Sequence, residues 1–174
     1  LHRGTLTNQH TIKRNNRKAE YALRDLEFAT VNNAVKQKIV ADSAEIAPLY
    51  ETLLLNQFHD ILPGTCINKA HEESREQTSQ IIKDAKEKTA IILKGNDDNT
   101  ITLVNTLSFD RNDVLFLELP EGVMIDGRYN QQRYVSLDGK SVLLVGGVTI
   151  PAFSSVTLAL KDYDVNFSSN FLRE

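Results

Sequence analysis

Tryptophan is absent from these 174 residues, cysteine and methionine occur once each, and proline four times. A lone Cys66 cannot form an internal disulfide, which fits a reducing compartment or a fold with no need of one. A small buried filler is the plainer role for that thiol. No run of about 18 apolar residues is present, so no membrane span is expected. Leu1-His2-Arg3 is not followed by an apolar stretch, so no signal peptide is expected either. Neither sign of charge dominates: 20 Lys and Arg stand against 23 Asp and Glu, a net charge of −3. The whole chain is therefore no obvious nucleic-acid binder. What is there suffices for a core, with 41% apolar and 25% charged residues. The length holds one ordinary domain or two small ones.

Three helices are expected first. From about residue 8 to 38, Ile12, Ala19, Leu23 and Leu26, flanked by Ala22 and Ala29, recur at spacings of three, four and seven. Thr7 is the expected N-cap. The other face is basic. Residues 1–40 hold eight Lys or Arg against three acids, a local excess of five positive charges. No aromatic lies within its densest stretch, residues 13–18, as a single-strand binder would require, so a solvated face or one docking an acidic neighbour is the expectation. Asp42 or Ser43 caps a second helix, with Pro48 tolerated near its first turn. Its apolar stripe is Ile46, Leu49, Tyr50, Leu53, Leu54 and Phe58. Thr65 is the expected N-cap of a third helix carrying Ile67, Ala70, Ser74, Thr78, Ile81, Ala85 and Ile92, stopped at Gly95. His10 and His71 read as surface helix residues.

Beyond the polar stretch 96–99 the period changes to two. Strands are expected near 101–105, 114–119, 123–125, 132–137, 141–145, 148–150 and 155–160. Asp138-Gly139 suits a type I′ hairpin. Residues 166–174 read as an onward strand or a frayed end. The expected class is α+β: an antiparallel three-helix bundle over 1–95, then an antiparallel β-sandwich-like domain over 100–174.

The stretch with the most chemistry is 53–67, where an apolar helix runs into His59 and Asp60 and stops at Pro63-Gly64. Pro63 lacks an amide donor and disfavours helix before it, so His59 and Asp60 are expected in a last helical turn. Imidazole and carboxylate both suit zinc-like metals. A lone His near a helix end is, however, more often a surface or capping residue. No further ligand lies at metal-binding spacing. Spacing alone therefore establishes no site.

Gln57-Phe58-His59-Asp60-Ile61-Leu62-Pro63-Gly64-Thr65 resembles a signature of glycoside hydrolase family 38, the α-mannosidases. Leu1-His2-Arg3-Gly4-Thr5-Leu6-Thr7-Asn8-Gln9, with Lys13-Arg14-Asn15-Asn16-Arg17, resembles the opening of the same region. Val104-Asn105-Thr106-Leu107-Ser108-Phe109 is a weaker third match. Leu6, Asn8 and Cys66 depart from the usual residues. The resemblance implies a retaining, zinc-dependent α-mannosidase acting on terminal α-linked mannose. His59 would be one ligand of a single Zn2+ site shared with a preceding α/β catalytic domain, and Asp60 would contact the sugar. Arg3 would reach the rim of the site or pair across domains. No catalytic nucleophile or acid/base is matched, so the chain would be a central slice of a longer enzyme and inactive alone. The implied partners are a mannoside and the N-terminal α/β domain, with self-association left open, no nucleic acid, no membrane, and a cytoplasmic location. The competing class is a non-catalytic carbohydrate-binding or adaptor module, against which the missing Trp and few Tyr weigh.

Overall fold

The computed structural model describes residues 4–5, 7–94 and 97–163. Arg3 and the stretch 166–174 lie outside the described residues. The chain divides into two compact units, Leu1–Lys94 and Gly95–Glu174.

The first unit holds α1 (His10–Gln37), α2 (Ala47–Asn56) and α3 (Asn68–Leu93). The residues expected on the inner stripe of α1 form its core: Ala19, Ala22, Leu23 and Leu26 pack with Ile46, Leu53, Ile81 and Ala85. Each is at most 7% exposed, so the stripe spacing alone was enough to find them. Cross-helix bonds give the directions. Tyr50 reaches Glu27, Gln57 reaches Glu20 and Lys88 reaches Glu45. Thus α2 runs against both long helices, which are parallel to each other.

Several local expectations give way to tertiary contacts. Thr7 does not cap α1. Its hydroxyl donates to the Gly4 carbonyl, and the N-cap is Gln9 at φ 48 with no side-chain cap. Neither Asp42 nor Ser43 is the N-cap of α2, which is Ile46. Asp42 instead accepts from the Ala44 amide, while Pro48 sits in the first turn as expected. Thr65 binds the Asp60 carbonyl, so α3 starts later, after Ile67. His71 is not at the surface: it is 6% exposed and continues the buried line Ser74, Thr78, Ile81 and Ala85. The α2 stripe also splits. Leu53 is buried, whereas Leu54 is 62% and Phe58 53% exposed. Cys66 is half-buried.

The second unit is two antiparallel three-stranded sheets. Thr100–Asn105 (β1), Ser154–Asp162 (β6) and Val123–Ile125 (β3) form one in the order β1-β6-β3. Leu115–Leu117 (β2), Ser141–Gly146 (β5) and Asn130–Val135 (β4) form the other in the order β2-β5-β4. Leu117, Met124, Ile125, Leu143, Val145 and Leu158, drawn from both, share one core. Residues 148–150 make only an isolated bridge, Arg111 with Ile150. The hairpin at 136–140 is not type I′. Only Gly139 has positive φ, 82, and its amide donates to the Ser136 carbonyl. That is a three-residue loop with glycine in the left-handed position, and it takes Ser136 and Leu137 out of β4.

Candidate functional site

Helix α2 ends at Asn56, so His59 and Asp60 stand in irregular turns beyond it and not in its last helical turn. The reason lies in side chains. Asn56, 2% exposed, donates through Nδ2 to Gln77 Oε1 and to the Thr52 carbonyl, both at 2.8 Å. Gln57, the C-cap, donates through Nε2 to Glu20 Oε1 at 3.0 Å. Consecutive residues are thus tied to α3 and α1, which stops the spiral there. The chain then folds on itself: the amides of Ile61 and Leu62 reach the Phe58 carbonyl, and that of Gly64 reaches Ile61.

The return of the turn is tied as firmly as its exit. Asn8 Nδ2 donates to the Gly64 carbonyl at 2.6 Å. Lys13 Nζ donates to the carbonyls of Pro63 at 3.2 Å and Asn8 at 2.6 Å. Partial burial pushes the Lys13 ammonium below its ordinary pKa. Gly64 has φ +80, and a Cβ there would come within 2.9 Å of Gln9 Cβ. Only glycine lets the turn press this closely on the start of α1. Asn8, Gln9, Lys13 and Glu20 therefore form the bracket in which residues 57–64 are held.

What the bracket leaves outside is the chemistry. The side chains of His59 and Asp60 are 76% and 61% exposed. Their Nε2 and Oδ2 atoms lie 3.5 Å apart, so both aim at one region of solvent. The Phe58 ring, its centroid 4.2 Å from that of the imidazole, flanks it on one side. One imidazole and one carboxylate are two donors of the right chemistry for zinc, half of a tetrahedral shell. Among the described residues no group of three His, Cys, Asp or Glu could hold a metal. Asn8, Lys13, Glu20 and Gly64 carry no catalytic signature. Asn8, Lys13 and Gly64 lie inside the resembling stretches, whereas nothing in the sequence marks Glu20.

The third resembling stretch is structural. Asn105, 3% exposed, turns its Nδ2 toward the carbonyls of Phe109, Ile150 and Pro151 at 2.7, 3.1 and 3.1 Å. Its Oδ1 accepts from the Leu107 amide at 3.1 Å. It fastens the loop after β1 to the segment before β6.

The family described as alpha mannosidase middle domain matches residues 1–94. The human protein named alpha-mannosidase 2C1 is 32% identical over 70% of this chain. The alpha-mannosidase of Saccharomyces cerevisiae is 27% identical over 99% of it. The chain spans only 12% and 17% of the length of these two relatives. Among solved structures, an alpha-mannosidase from Enterococcus faecalis V583 superposes with a TM-score of 0.58 at 13% identity, covering 92% of this chain and 24% of that one. A glycosyl hydrolase family 38 protein from Enterococcus faecalis gives 0.55 at 13% identity, covering 98% and 26%. At that identity the two structures speak for the fold alone.

Proposed function

Because the chain belongs to the alpha-mannosidase middle-domain family, we propose that it is the part of a retaining, zinc-dependent α-mannosidase that brings His59 to the metal and Asp60 to the sugar. The supporting observation is an imidazole 76% exposed on a turn whose ends are both fastened to the bundle. A ligand contributed to another domain has to be presented in this way: projecting, yet fixed in direction. When bound, zinc supplies a Lewis acid and a template for sugar hydroxyls.

The remaining roles belong to this chain's own atoms. His59 offers a ring nitrogen. Asp60 accepts hydrogen bonds from hydroxyls of the bound mannoside and so orients it. Phe58 shields one side of the imidazole from water. The pair of carboxylates that retention requires is supplied from outside this chain, by the α/β domain expected before it. In the full-length enzyme, His59→Ala is expected to lower zinc content and kcat/KM together, as read by metal analysis and aryl-mannoside kinetics. Full zinc occupancy at an unchanged rate would remove His59 from the shell.

One observation favours a second reading. Phe109, Phe116 and Phe153 of the β unit are 60%, 66% and 57% exposed, and exposed rings are what sugar-stacking modules use. Glycan-array binding that is lost on Phe116→Ala, with His59→Ala silent, would move the assignment to a carbohydrate-binding module.

A further inference from the structure

Glu20 lies outside the three motif stretches singled out in the sequence, and no step proposed above uses it. Its two oxygens nevertheless organise the exit of the turn. Oε1 accepts from Asn16 Nδ2 at 2.9 Å and from Gln57 Nε2 at 3.0 Å. Oε2 accepts from Arg17 Nη1 at 2.7 Å. Asn16 and Arg17 stand four and three residues earlier on the same helix, so they hold the carboxylate in one rotamer from within α1. Gln57 brings the donor from a different element, two residues before His59.

The geometry makes that bond directional. Residues 58–64 are linked by their own backbone bonds. Asn8 and Lys13 hold the far end. Asn56 fixes the last residue of α2 against α3. Gln57 is the first residue past the helix, and Glu20 is its side-chain acceptor. The Glu20 side chain is only 31% exposed, where a charge-assisted bond is stronger than at an open surface. The Arg17 end of the ion pair is 65% exposed and adds little by itself.

We propose that Glu20 is the positioning residue for His59 and Asp60, acting through Gln57 to set the direction in which the turn presents them. This rests on the roles given to His59 and Asp60 above. The test has two arms. In the 174-residue chain, amide hydrogen exchange at Ile61, Leu62 and Gly64 is expected to rise about tenfold in Glu20→Ala, with core amides of α1 and α3 unchanged. In the full-length enzyme, Glu20→Ala is expected to lower kcat/KM by about 10- to 100-fold, the range for residues that orient a metal ligand. Glu20→Gln keeps an oxygen for Gln57 and is expected to restore most of both. Should Glu20→Ala fail to fold, Gln57→Leu breaks the same bond from the other side.

Wild-type exchange at the turn would overturn the proposal. So would equal damage by Glu20→Ala and Glu20→Gln, or faster exchange with unaltered kinetics while His59→Ala is impaired. If His59→Ala proves silent, it is the reading of His59 that fails, and the exchange arm still decides whether Glu20 sets the turn.

Discussion

At the scale of single residues, two positions carry stability out of proportion to their size. Gly64 occupies φ +80 against Gln9 and the Asn8 carbonyl. An alanine there meets the left-handed penalty of about 1–2 kcal/mol together with a Cβ contact the backbone cannot absorb. Gly64→Ala is therefore expected to cost about 2–4 kcal/mol in denaturant unfolding of the helical unit, and to weaken the Asn8 and Lys13 bonds with it. Asn105 is the counterpart in the β unit. Asn105→Ala takes the side-chain partner from the part-buried Pro151 carbonyl and Leu107 amide, while the Ile150 carbonyl keeps the Arg111 amide. Unsatisfied buried groups cost about 1–3 kcal/mol each, so a clear fall in denaturation midpoint is expected, and Asn105→Asp, which turns a second oxygen toward the same carbonyls, should fall at least as far. These roles were partly legible. A glycine after proline announces a turn. That its Cβ would strike a residue 55 positions earlier is a tertiary fact and leaves no local trace.

At the scale of elements, the existence of each helix followed from the spacing of Ile12, Ala19, Leu23 and Leu26 or of Ser74, Thr78, Ile81 and Ala85, because burial enforces that period. The ends did not follow. Thr7 and Thr65 are good capping residues, but each stands two residues before the observed N-cap, Gln9 or Ile67, and its hydroxyl donates to a carbonyl, that of Gly4 or Asp60. Competition of this kind is intrinsic to Ser and Thr. His71 was misplaced for another reason: hydropathy ranks a histidine as polar, but its position on the helix faces inward, and the face decides. In the sheets the alternation located β1, β5 and β6, while Arg133 stayed hidden. It donates to the carbonyls of Leu119, Pro120 and Val123 and to Ser141, gathering the loop between β2 and β3. Electrostatics at the β3–β6 seam gives a pH expectation. Lys161, 2.8 Å away, holds the Asp126 carboxyl below its usual pKa. A carboxylate with a lowered folded pKa contributes stability above its unfolded pKa of about 3.9, and that contribution is lost as pH falls through the folded value. Asp126→Asn should therefore melt earlier than wild type near neutral pH, with the gap closing once the medium is acidic enough to protonate the wild-type carboxylate. Thermal melts across that range check it; a gap that persists in acid would point to packing instead of charge.

At the scale of the whole chain, the candidate site is open at its most important side. Everything that shapes the 57–64 turn comes from the helical unit, but the turn shapes nothing enclosed. It holds one imidazole and one carboxylate in solvent, 3.5 Å apart. Tight zinc binding asks for three or four protein ligands, and retaining hydrolysis asks for two carboxyl groups about 5–5.5 Å apart across a bound sugar. Among the described residues no third ligand joins His59 and Asp60, and a lone carboxylate beside an imidazole cannot serve as both nucleophile and proton donor. The 174-residue chain, supplied with zinc and an aryl mannoside, is thus expected to release no aryl alcohol above background. It is also expected to bind zinc no more tightly than other exposed His–Asp pairs, as titration calorimetry would read. Added to the separately expressed catalytic domain that the proposal requires, the same chain should restore both properties. Turnover by the 174 residues alone would place a complete catalytic apparatus inside them. The division of roles would then be wrong at its root, since that apparatus would have to be built from carboxylates other than Asp60.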